Sequence, residues 1–120
     1  MSFSEMEYIN DAVGNNCVYG DISSGTITID GKVKRILIAC GNGSSNGTYV
    51  VAKYDSDIST TQFQRLAYTN GGGVNQDLNQ NYNIGAASIG ITSFSYSNGV
   101  TTIGVGAGTV NRGYFVAELE

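Results

Sequence analysis

Apolar residues recur along this chain with a period of two or in short β-branched runs, and the 3.6-residue spacing of an amphipathic helix is almost absent. That alternation predicts strands at Thr26 to Ile29, Val33 to Cys40, Thr48 to Tyr54, Phe63 to Tyr68, Ala87 to Tyr96, Val100 to Val105 and Tyr114 to Leu119. Weaker ones fall at Glu7 to Asn10 and Val18 to Tyr19. Between them lie clusters of Gly, Asn, Ser and Asp, which tolerate positive φ or close turns with their own side chains. Seven to nine short strands punctuated in this way predict an all-β fold, a single-domain antiparallel β-sandwich of jelly-roll-like form spanning residues 1–120. Phe3 to Val13 has a mixed pattern that fits a short helix and a linker strand equally, which sets residues 1–13 apart as a linker or a short N-terminal element.

One hairpin can be drawn with its register. Ser93 to Ser97 and Val100 to Ile103 flank Asn98-Gly99, the dipeptide that favours a type I′ turn. A two-residue loop sets Ser97 opposite Val100, Tyr96 opposite Thr101, Ser95 opposite Thr102 and Phe94 opposite Ile103. Phe94, Ile103 and Val105 then share one face, and Ser93, Ser95, Ser97 and Thr102 the other. Asp30-Gly31 looks equivalent, but a two-residue turn there would place aliphatics on the lysine side, so a longer loop pairing Ile29 with Val33 is expected. The strand from Lys34 is apolar on both sides, with Ile36, Ile38 and Cys40 opposed to Leu37 and Ala39, as a central strand would be. At the end of the chain, Phe115, Ala117 and Leu119 point one way and Tyr114, Val116 and Glu118 the other, so the last residues close a sheet. Asn70 to Asn83, polar throughout, reads as a long exposed loop.

Composition narrows the chemistry. The chain has 120 residues, no His, no Pro, no Trp and a net charge of −4. Without His, the usual general base, the commonest metal ligand and the partner of a Ser or Cys nucleophile are all missing. No catalytic residue, metal site or cofactor is expected. Six cations against ten acids leave no field to gather phosphates, which argues against nucleic acid as a partner. The longest aliphatic stretch, Ile36 to Cys40, is far short of the roughly 20 residues needed to cross a bilayer as a helix, so no membrane insertion is expected. Met1 to Glu7 has neither a basic end nor an apolar segment and is not expected to act as a secretory signal. Cys17 and Cys40 suit a disulfide or two free thiols, and the free reading is favoured because Cys40 ends an aliphatic run.

Candidate sites are few. Gly41 to Gly47 follows a strand as a nucleotide-binding loop does, but no Lys-Ser or Lys-Thr follows and Thr48 to Ala52 is β-branched where a helix should begin, which leaves a hairpin loop. Gly104 to Gly108 reads as glycines that thin a strand or let another backbone approach. Asp55 and Asp57 lack the Gly and distal Glu of a calcium loop, and no pair among Asp21, Asp55, Asp57 and Asp77 stands out for glycoside hydrolysis. The excess of eight Tyr and twelve Asn is more informative, because a flat aromatic face beside amide donors and acceptors suits sugar and protein surfaces. Tyr68, Asn70, Asn75, Gln76, Asp77, Asn79, Gln80 and Tyr82 cluster in or beside the Asn70 to Asn83 segment and form the candidate contact surface, although a plain solvated loop would look the same. Tyr49, Tyr54, Tyr96 and Tyr114 fall in strands, where Tyr is an ordinary β residue.

The stretches TITIDGKVKRILIACGNGSSNGTYVVAKY and ITSFSYSNGVTTIGVGAGTVNRGYFVAELE resemble the small all-β tip or knob domains of bacteriophage tail fibres and receptor-binding proteins. Such domains are similar in being rich in Gly, Asn, Ser and Thr, sparsely charged, and closed by a final core strand. The resemblance covers most of the chain and rests on style, with no diagnostic motif. It implies a homotrimer, a virion location and a host-surface glycan or protein as target. No coiled-coil heptad or repeat stands upstream as a fibre shaft, so a separately expressed tip or a stand-alone protein is expected. An extracellular carbohydrate-binding module or a bacterial adhesin domain is the alternative.

Overall fold

In the computed structural model, the described residues are 16–22, 25–41, 48–53, 62–70, 73–86, 88–106 and 112–120. They form nine strands: β1 (Cys17–Ile22), β2 (Thr26–Asp30), β3 (Val33–Gly41), β4 (Tyr49–Lys53), β5 (Gln62–Asn70), β6 (Gly73–Asn83), β7 (Ile91–Ser97), β8 (Val100–Val105) and β9 (Arg112–Leu119). Two antiparallel sheets result, one of six strands in the order β1-β9-β3-β4-β5-β6 and one of three in the order β2-β8-β7. Because β1 pairs with β9 and β2 with β8, the first two strands nest against the last two, one pair in each sheet, as in a jelly roll. From β3 to β6 the chain is instead a meander within the wide sheet.

The period-two pattern decides which side of each strand is buried. Ile36, Ile38 and Cys40 of β3, Val51 of β4, Phe63 of β5, and Phe115 and Ala117 of β9 meet Ile27, Ile29 and Ile103 of the narrow sheet in one core. Each fully buried aliphatic side chain stabilises the layers by about 1.5–3 kcal/mol. The expected hairpin is present with its full register from Phe94↔Ile103 to Ser97↔Val100. Its turn residues Asn98 and Gly99 have φ of 54° and 80°, the left-handed pair a type I′ turn requires.

Several expectations are corrected. Ile29 does not pair with Val33, because β2 and β3 lie in different sheets and Asp30-Gly31 is a crossing between layers. The Gly31 amide donates to the Gly99 carbonyl (2.7 Å), and the Thr101 hydroxyl donates to the Gly31 carbonyl (2.7 Å), which ties the crossing to the β7–β8 hairpin. With φ at +132°, Gly31 holds a backbone conformation that L side chains rarely adopt, and a Cβ there would also displace the Leu119 Cδ1, 2.9 Å away. The Asn70 to Asn83 segment is not a loop: Gly73–Asn83 is a strand paired with β5 along the edge of the wide sheet. An edge strand needs one partner and no buried outer face, so Asn and Gln, poor β-formers by propensity, are held there by the ladder. Ser88 to Gly90 is likewise not strand and β7 begins at Ile91, while Ala87 lies outside the described residues. β3 is central as expected, yet its second apolar face is open, with Leu37 42% exposed. The expected strand at Glu7 to Asn10, the Phe3 to Val13 segment, Asn42 to Gly47, Tyr54, Asp55 and Asp57 lie outside the described residues.

Both cysteines are free thiols. β9 separates β1 from β3, and Cys17 is level with Arg35 while Cys40 is level with Ile22. Two strand spacings and five residues put the pair about 19 Å apart, well beyond the roughly 7 Å Cα limit for a bridge. The Cys40 thiol is turned toward the Ile89 carbonyl at 3.9 Å, and burial pushes it up from 9.0 to about 12.

Two outcomes follow from this packing. β9 is hydrogen-bonded on both sides and contributes Phe115 and Ala117 to the core, so deleting Tyr114–Glu120 should abolish the cooperative urea transition and near-ultraviolet dichroism. Above pH 9 the unfolded chain loses the Cys40 proton while the native state keeps it. Stability should therefore fall as pH rises from 9.0 toward 12, and urea titrations should show a shallower decline in Cys40→Ala.

Candidate functional site

The narrow sheet has three strands against six, and its strand β7 reaches β4 and β5: the Phe94 ring is 6.0 Å from that of Phe63 and 5.3 Å from Lys53 Nζ. The connection from β6 to β7 packs beside it against the core. It is held by hydrogen bonds from the Gly85 amide to the Ile91 carbonyl (2.7 Å), from the Ala86 amide to the Asn83 carbonyl (3.0 Å) and from the Ile89 amide to the Ala86 carbonyl (3.2 Å). Ile89 drives into the core with no exposed surface, and Ile84 and Ala86 pack beside it.

Arg65 stands at the margin of this cover. Its Nη1 donates to the Ser88 carbonyl at 3.0 Å and its Nη2 to the Tyr82 hydroxyl at 2.8 Å. The guanidinium carbon is 4.0 Å from the centre of the Tyr68 ring and 4.5 Å from that of Tyr82, so the cation bridges two aromatic faces. This alignment depends on a break in β5. In an unbroken strand, residues 65 and 68 point to opposite sides of the sheet. An irregularity between Arg65 and Ala67 inserts Leu66 and brings Tyr68 back to the Arg65 side.

Pairing sorts the other sequence candidates. Asn75 lies opposite Tyr68 and Gln80 opposite Arg65, which puts both on the face that carries Tyr68 and Tyr82. Gln76 pairs with Ala67 and belongs to the other face. Asn70, Asp77 and Asn79 lie in the backbone of β5 and β6, but their side chains fall outside the described residues. Five of the eight, Tyr68, Tyr82, Asn75, Gln80 and Gln76, are thus placed, four of them together.

The residue that sequence reasoning missed is Arg65. Its only signal was a cation in an otherwise neutral strand, and period two alone sets Tyr68 on the opposite face from it, because the irregularity lies between them. The assembled surface presents half-buried aromatic rings bridged by a cation, flanked by amides that donate and accept. It can stack against the C–H face of a pyranose and hydrogen-bond its hydroxyls. Among the described residues, no group of three His, Cys, Asp or Glu side chains could hold a metal ion. Lys53 is a second cation used structurally: it is buried in the sandwich with its Nζ 5.3 Å from the centre of the Phe94 ring.

Comparison with protein-family models, with curated proteins and with solved structures finds no match.

Arg65→Ala should remove two charge-assisted hydrogen bonds and two ring contacts, costing about 2 kcal/mol in urea unfolding. Amide exchange at Gly85, Ala86 and Ile89 should quicken more than exchange in β8, because the β6–β7 connection loses its tie to β5.

Proposed function

We propose that this chain is a non-enzymatic attachment domain of a bacteriophage particle that works as a homo-oligomer and binds a host-surface glycan through Tyr68, Arg65 and Tyr82. The observation that carries the binding part is the Arg65 guanidinium lying 4.0 Å and 4.5 Å from the two ring centres, with Asn75 and Gln80 on the same face. Rings fixed by a bridging cation present their faces with little left to order on binding, which favours weak, shape-based recognition of sugars. The phage assignment and a virion location draw on the Gly, Asn, Ser and Thr-rich, sparsely charged style of the chain and on its closing core strand. A stand-alone extracellular carbohydrate-binding module would use the same surface as a monomer, so the solution mass distinguishes the two readings.

A glycan array probed with the intact chain should give reproducible hits. Tyr68→Ala and Tyr82→Ala should each weaken them about tenfold or more, whereas Gln76→Ala, on the opposite face, should leave them unchanged. Binding that survives both tyrosine changes, or that is found only on a host protein, would sink the glycan assignment.

A further inference from the structure

The two outer faces of the sandwich differ in kind. On the narrow sheet the outward residues include Thr26, Thr28, Ser93, Ser95 and Ser97, all exposed hydroxyls. On the wide sheet, Leu37, Tyr114 and Val116 are exposed at 42%, 43% and 38%. Pairing sets Val116 beside Leu37 on one row, and Tyr114, Ala39, Val50 and Ala67 on the next row across β9, β3, β4 and β5. An ion pair between Arg35 and Glu118 (2.9 Å) borders this area, giving it an apolar middle and a charged rim. At the far end of the Tyr114 row, between β4 and β5, is an apolar depression of about 200 Å³ lined by Thr48, Val50, Ala67, Tyr68 and Thr69.

We propose that this face binds a second copy of the same chain about a twofold axis parallel to the strands, each copy seating its Tyr114 in the depression of the other. The knob and the hollow lie on one row, about two and a half strand spacings or 12 Å apart. A twofold axis between the two sheets and along the strands reverses positions across the sheet but keeps each row level, so each knob meets the other copy's hollow. The axis then passes near Ala39 and Val50, small side chains that let the sheets approach. An apolar cavity of about 150 Å³ accommodates benzene, so the hollow is large enough for a phenol ring.

Six strands at about 4.8 Å spacing and some seven residues of strand length make a face of roughly 550 Å² per copy. The total lies at the low end of specific interfaces, which predicts a weak, concentration-dependent pair. This inference goes beyond the attachment reading; Tyr68 borders the depression as well as the proposed glycan surface, so the pairing is tested at Tyr114 and Ala67. It also differs from the trimer that the tail-fibre resemblance implies.

Sedimentation of the intact chain from low micromolar to millimolar concentration tests it. The expected result is a monomer–dimer equilibrium in which Tyr114→Ser, lacking the knob, and Ala67→Trp, filling the hollow, each raise the dissociation constant about tenfold or more. An equimolar mixture of the two variants keeps one knob and one hollow in register and should recover part of the association. Should Ala67→Trp fail to fold, Thr69→Trp fills the same depression. A monomer at every concentration, a trimer, a dimer indifferent to both changes, or a mixture no stronger than its components would each overturn the proposal. Glycan binding by a folded Tyr114→Ser monomer would leave the attachment reading intact while the pairing is judged on mass alone.

Discussion

The unequal width of the two sheets governs what is particular to this domain. Three strands face six: β7 reaches β5 through the Phe63–Phe94 ring contact, and the rest of the inner side of the wide sheet needs another cover. The chain supplies it with the β6–β7 connection, whose Ile89 is fully buried and whose Ser88 carbonyl is held by Arg65. Truncating Ile89, which is fully buried, would leave a cavity costing about 2–5 kcal/mol. The cover is short, however, and where it stops the inner face carries tyrosines and an arginine in place of aliphatics. The candidate site therefore lies at the margin of that cover, where Arg65 ties Ser88 to Tyr82.

How much of this was legible in the sequence depends on the range of the interaction involved. The β7–β8 hairpin could be drawn residue by residue because Asn98-Gly99 and the flanking alternation are local and agree with each other. The central position of β3 and the closing role of β9 were also readable, since apolar residues on alternate or both sides are a direct record of burial. Asp30-Gly31 misled because the same dipeptide also serves as a crossing between sheets, and only the distant partners Gly99, Thr101 and Leu119 show which role applies. β6 was invisible for a related reason. Its Gln76, Gln80, Asn81 and Asn83 are exposed amides, and it is held as strand by its ladder to β5.

Arg65 illustrates the limit for the site. A one-residue bulge exchanges inward and outward positions for everything beyond it. The Tyr68 cluster could be named from composition, but which of its members face Tyr82, and that a cation stands between the rings, depends on where β5 breaks step. The two buried or half-buried cations, Lys53 against Phe94 and Arg65 against Tyr68 and Tyr82, follow one logic: an aromatic face offsets part of the desolvation that a charge meets inside a sandwich.

The proposed binding face and the proposed pairing face lie mainly on opposite sides of the wide sheet, and their relation bears on the attachment role proposed for the chain. Tyr68 and Asn75 sit near the end of the sheet where β5 turns into β6, on the inner side, whereas Tyr114 and Leu37 point outward. Copies joined through their outer sides would hold their binding faces apart, so neither blocks the other. Because the proposed axis runs along the strands, the β5–β6 ends of both copies point in the same direction. Two weak sites displayed toward one surface gain through effective concentration what a single shallow aromatic patch lacks in affinity. A pair about an axis perpendicular to the strands would turn the two ends away from each other and lose that gain. Orientation along the strands is thus what makes self-association useful to an attachment domain, beyond covering apolar surface.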